Sequence, residues 1–184
     1  MSAISVTSQD EEIIKQKKIA NEPVNIISIK TDSNQINFDK PFARTSEWYK
    51  GLEIKIENVS DKHISYLALD LVFKRPGNFE AVLPKDKLPF GQIISYGNIE
   101  NPSDVKIAPK DIITITLDKP RYETLKADLL ALGYPKNFKG IEIVVKEVLF
   151  TDNTFWNRRV WYKRDTKDSN FFLTELTKVE IMHY

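Results

Sequence analysis

The sequence predicts a mainly β protein, an antiparallel β-sandwich interrupted by one short α-helix at about 120–132. Three observations carry that prediction. Apolar and polar residues alternate over one segment after another, the period of a half-buried strand. Clusters of Asn, Asp, Ser and Pro punctuate those segments as turns do. A single stretch shows helical spacing with both a start and a stop signal.

In chain order, residues 1–22 are polar, with Asp10-Glu11-Glu12 ahead of Lys15, Lys17 and Lys18. They read as a leader, either flexible or a short helix over about 9–19, acid before base as the helix dipole prefers. The domain proper then spans 23–164. Residues 23–30, with Val24, Ile26, Ile27 and Ile29, form a first strand. Residues 34–48 are mixed and suit an edge strand. Leu52, Ile54 and Ile56 alternate with Glu53, Lys55 and Glu57, and Leu67, Leu69, Leu71 and Phe73 alternate with Tyr66, Ala68, Asp70 and Val72. The polar turn between these two strands suggests a β-hairpin.

Residues 74–110 hold Pro76, Gly77, Pro84, Pro89, Gly91, Gly97, Pro102 and Pro109, too long a stretch to be a plain loop. Leu88, Phe90, Ile94 and Tyr96 share one alternating face within it. Ala108-Pro-Lys-Asp111 is a tight turn into a strand over 112–117. Asp118 or Lys119 then caps the helix, and Pro120 sits in its first turn. Tyr122, Leu125, Leu129 and Leu132 mark its apolar face and Gly133 stops it. Residues 141–150 are a strand, Thr151-Asp-Asn-Thr154 is a turn, and 155–163 is the returning strand. The apolar phase slips between Ile143 and Phe150, which a β-bulge near Val145 explains. Residues 165–184 are a tail whose weak alternation, through Leu173 and Leu176, suits an edge strand.

Composition narrows function. The chain has 184 residues, one domain's worth, with 27 Lys+Arg against 26 Asp+Glu and a net charge of +1. That balance argues against non-specific binding to nucleic acid. Cys is absent and there are two His, so disulfides, cysteine nucleophiles and multi-His metal sites drop out; no cofactor is implied. No apolar run is long enough to span a bilayer. The start of the chain lacks a signal peptide, so the protein is either cytosolic as written or begins after a removed export signal.

Three stretches taken together, 51–66, 107–117 and 148–156, have a familiar order. A strand ends in Asn58-Val-Ser60, a Pro109 turn precedes the middle strand, and Thr151-Asp-Asn-Thr154 precedes Trp156. Over 48–162 the pattern resembles bacterial immunoglobulin-like β-sandwich domains of exported proteins. Those domains usually have Gly where this chain has Lys110 and Asn153, and the helix is an addition to the simplest sandwich. The resemblance implies an immunoglobulin-like sandwich in an extracytoplasmic protein, with a non-catalytic binding or scaffolding role and no particular ligand.

The strongest local feature is Phe155-Trp-Asn-Arg-Arg-Val-Trp-Tyr-Lys-Arg164, four aromatics and four cations in ten residues. Such a stretch suits stacking and phosphate contacts, but alternate rings filling a core beneath solvated cations explain it more economically. If a surface is there, Trp156, Arg158, Arg159, Trp161, Tyr162, Phe90 and Tyr96 are its candidates, with an unpaired sheet edge as another route to a partner. Asp70, inside an apolar strand, is a candidate buried acid, although alternation also places it on a solvated face. His63 beside Ser60 and Asp61 reflects turn composition more than a triad. Asp61, Asp104, Asp111 and Asp152 lie in turns without the spacing of a calcium loop. Asn58-Val-Ser60 fits the N-glycosylation pattern, one frequent by chance.

Three functional readings follow. The first is a non-catalytic β-sandwich module binding a protein or glycan. The second is a carbohydrate-binding module with Trp48, Trp156 or Trp161 as its platform. The third is an enzyme with a site in 74–110.

Overall fold

Two sheets pack around one apolar core, as the alternation predicts, but several strands find partners that alternation could not name. The computed structural model describes residues 11–32, 35–43, 47–73, 85–91, 106–134, 140–164 and 173–175. The elements are β1 (Glu11–Gln16), β2 (Val24–Lys30), β3 (Gln35–Ile36), β4 (Pro41–Ala43), β5 (Glu53–Asn58), β6 (Ile64–Phe73) and β7 (Lys85–Phe90). They continue with β8 (Ile112–Thr116), α1 (Lys119–Ala131), β9 (Ile141–Phe150), β10 (Thr154–Asn157), β11 (Val160–Arg164) and β12 (Leu173–Glu175).

The smaller sheet runs β3-β2-β5-β8, antiparallel throughout. In the larger sheet β6 lies between β7 and β9. The other edge of β9 is shared. Its C-terminal half pairs with β10, which continues through β11 to β12. Its N-terminal half pairs in parallel with β1, which in turn pairs with β4. Ile54, Ile56 and Ile29 of one sheet and Leu67, Leu69, Val148 and Trp156 of the other are fully buried in the same core.

Four expectations change. The segment over 9–19 is neither helix nor leader where it is described; Glu11–Gln16 is a strand. Its helix propensity is too weak for so short a segment to hold alone, and burying Ile14 completely against β9 decides the outcome. Second, β5 and β6 are not a hairpin but belong to opposite sheets. β6 is apolar on both faces and almost wholly buried, so it needs a neighbour along each edge of the large sheet, whereas β5 shows its charges to solvent. The connection between them is a corner, held by Asn58: its amide nitrogen donates to the carbonyls of Lys62 (2.7 Å) and Ile107 (3.0 Å). Third, 155–163 is two strands, broken at Arg158-Arg159. Fourth, 34–48 supplies two short strands rather than one.

Other expectations hold. β9 carries the bulge: Ala68 pairs with Glu147 and Leu69 with Val145, leaving Lys146 as the extra residue. Asp118 caps α1, its Oδ1 accepting from the Arg121 N–H at 2.9 Å. Gly133, at φ 78°, ends the helix. There the Tyr134 N–H donates to Leu129 and the Gly133 N–H to Leu130, satisfying carbonyls the helix leaves open. Tyr122, Leu125 and Leu129 face inward, with Tyr122 against the Tyr49 ring at 5.2 Å. The tail contributes edge strand β12. Ile94 and Tyr96 lie outside the described residues, as does most of 74–110; β7 holds Leu88 and Phe90.

Candidate functional site

The basic-aromatic stretch becomes the β10–β11 hairpin, and alternation sorts its side chains. Trp156 and Trp161 are paired across the two strands on the core-facing side, Phe155 and Tyr162 on the other. Trp156 is fully buried, so it offers nothing to a ligand. Trp161 is half-buried and stacks on Phe150 at 5.3 Å, 15° from parallel. Phe155 and Tyr162 are half-exposed and in contact at 6.1 Å. Phe90 is half-buried and packs on the core.

Arg158 and Arg159 form the two-residue turn, both exposed and both in left-handed backbone, at φ 46° and 93°. Such a turn selects Asn-Gly or Asp-Gly, because a Cβ is disfavoured at both positions. Two arginines carry no sequence signal of a turn. The compensation is a long-range bond. Arg158 Nη2 donates to Asp70 Oδ2 at 3.0 Å.

Asp70 is 1% exposed, on the face of β6 away from the core. That face is not the solvated one that alternation suggests. The β9 bulge brings Lys146 onto the same carboxylate, its Nζ 4.0 Å from Oδ1. Beside it Tyr66 donates to buried Glu147 at 3.4 Å. Asp70 Oδ2 thus anchors the Arg158 guanidinium, and Lys146 Nζ lies 4.0 Å from its other oxygen.

A second cluster locks the opposite end of the hairpin. Lys62 Nζ donates to Asp152 Oδ2 (2.7 Å) and Thr154 Oγ1 (3.1 Å) and lies over the Phe150 and Trp161 rings at 5.7 and 6.0 Å. Thr154 donates to Asp152 Oδ1 from both its N–H (2.9 Å) and its hydroxyl (2.6 Å). Burial pulls the Asp152 carboxyl upward, but the bonds from Lys62 and Thr154 outweigh it and hold the pKa below the ordinary carboxylate value.

The other candidates resolve into structure. Asn58 is buried and uses its Oδ1 for the Ser60 N–H (3.0 Å) and hydroxyl (2.6 Å), so the glycosylation-like tripeptide is a turn with a committed side chain. Ser60 bonds to Asn58 and to the Lys62 backbone, not to His63. Asp111 accepts from the Ala108 N–H at 3.0 Å. Trp48 is 5% exposed, leaving Trp161 as the half-exposed member of the three indoles. Among the described residues no three His, Asp or Glu side chains gather as a metal site, and no helix is long and apolar enough to cross a membrane. Comparison with known proteins finds no matching family model, no similar characterised protein and no similar solved structure.

Proposed function

We propose that this chain is a non-catalytic, immunoglobulin-like binding or scaffolding module acting outside the cytoplasm. Its partner surface is the tip and outer face of the β10–β11 hairpin. The observation that carries the reading is the Arg158-Arg159 turn: two exposed cations in costly left-handed backbone, anchored to a buried carboxylate on a distant strand. Backbone strain of this kind persists where the surroundings over-determine it, and it concentrates at sites of use. Tyr162 and Phe155 extend the surface with half-exposed rings, the side chains that anchor protein and glycan contacts. Among the described residues, Asn58, Ser60, Thr154, Asp152 and Lys62 are engaged in holding turns together.

The resemblance to exported immunoglobulin-like domains gains support from its two departures. Lys110 at φ 71° and Asn153 at φ 66° both adopt the backbone that Gly supplies in that pattern. Chemical crosslinking with mass spectrometry on fractionated cells of the source organism tests the proposal. Recovery from the envelope or medium, crosslinked through Lys163 or Lys146 to a defined protein or glycoconjugate, is the expected result. Recovery as a cytosolic protein with no crosslink near the hairpin overturns it.

A further inference from the structure

Every sheet needs its edges protected against pairing with other chains. Among the described residues, four edges are short or carry Pro or charged residues. β3 has two residues, β12 three, and β4 three beginning with Pro41; β7 carries Lys85, Asp86, Lys87 and Pro89. Among the described residues β8 is the exception. Its five residues, Ile-Ile-Thr-Ile-Thr, include no charge, Pro or Gly, and it ends the smaller sheet. Ile112 on it is 58% exposed, and Thr114 and Thr116 are exposed beside it.

The ladder with β5 fixes which backbone groups are open. Leu117 N–H donates to Leu52 (2.8 Å) and Asn58 N–H to Asp111 (3.0 Å), so the odd-numbered residues of β8 bond to β5. Antiparallel ladders alternate, so the N–H and C=O groups of Ile112, Thr114 and Thr116 point away from the sheet.

The geometry points to a second copy of this chain as the occupant of that edge, paired antiparallel about a two-fold axis at Thr114. In this register Thr114 meets Thr114 of the second copy and Ile112 meets its Thr116. All three outward-facing residues then fall in hydrogen-bonded pairs, each exchanging two bonds. Half-buried Ile113 meets Ile115 of the second copy and extends the core layer. The flanks also match. Exposed Lys110 lies in the turn before β8 and half-exposed Asp118, which also carries Arg121, just after it, so the two-fold brings the basic end of one copy's β8 to the acidic end of the other's. An isologous interface demands this kind of self-complementarity. A generic extended peptide would satisfy the backbone but would not use this match of basic and acidic ends. The pairing is independent of the hairpin surface, which belongs to the other sheet.

The test is sedimentation velocity of the full chain from about 10 µM to about 1 mM, the range proper to so small an interface. Wild type is expected to shift from monomer to dimer. Thr114→Lys places like charges face to face at the axis and is expected to abolish the dimer. Its thermal melt should stay unchanged, because the side chain is already exposed. A second readout fixes the register. The chain has no Cys, so Lys55→Cys carries a single nitroxide. Lys55 pairs with Thr114 on β5, and three strand spacings separate the two labelled backbones, about 15 Å. Strong dipolar broadening in the dimer is expected. A monomer at all concentrations, a Thr114→Lys dimer equal to wild type, or a dimer without that broadening each overturns the inference.

Discussion

Removing Arg158 tests the anchoring of the hairpin most sharply. Arg158→Ala leaves the turn backbone as it was, since Ala is no better than Arg at positive φ. What changes is the Asp70 carboxylate, 1% exposed and stripped of its 3.0 Å partner. Breaking a buried pair by removing one member costs about 3–5 kcal/mol. Two features reduce that here. The Arg158 side chain is 48% exposed, so its loss admits water, and Lys146 stays 4.0 Å from the other oxygen. Roughly 2–3 kcal/mol is expected, a fall in melting temperature of roughly 4–12 °C for a chain this size. Equilibrium urea unfolding and thermal melts read both. Adding Asp70→Val removes the stranded charge, and the double variant should recover much of the loss. An Arg158→Ala protein within about 0.5 kcal/mol of wild type, or a double variant no more stable than the single, refutes the reasoning.

Three further predictions concern the turns and the N-terminal strand. Lys110 occupies the left-handed position of a Pro109 turn closed by the Asp111 N–H on Ala108; Lys110→Gly should stabilise the fold by about 1 kcal/mol in urea titrations. Gly140, at φ 77°, has room for no Cβ, which would lie 1.9 Å from the Ile13 carbonyl oxygen; Gly140→Ala should cost roughly 2–4 kcal/mol, and hydrogen exchange should localise the damage to β1. The depressed Asp152 pKa makes its contribution present above the unfolded carboxylate value near 4 and lost as pH falls through the lower folded value. Asp152→Asn should therefore lower stability at neutral pH and flatten its decline below about pH 4, measured by urea melts across pH; an unchanged acid limb would contradict the Lys62–Asp152–Thr154 lock.

Strand positions were legible because burial on one face imposes a period of two. Leu52, Ile54 and Ile56 are all fully buried, as their alternation says, and α1 announced itself through Asp118, Pro120 and Gly133. Pairing was not legible, because alternation reports a half-buried face and not the neighbour along the edge. Hence β5 and β6, adjacent in sequence, belong to different sheets. The β9 bulge was readable as a phase slip, but its consequence was not: Lys146 reaches Asp70 only because the extra residue turns it there. The candidate site was half legible. The clustering of rings and cations marked the right ten residues. The turn at Arg158-Arg159 is held by a carboxylate 88 positions away, and no local signal encodes that bond.

Site-specific photocrosslinking in cells of the source organism tests the central claim most directly. A photoreactive amino acid placed at Tyr162, on the outer face of the hairpin, is compared with one at Leu132, half-exposed at the end of α1. The account predicts a discrete adduct from position 162 that disappears when Arg159→Glu is added, and none from position 132. Equal or absent crosslinking from the two positions, in protein whose melt shows it folded, would contradict a partner surface on this hairpin.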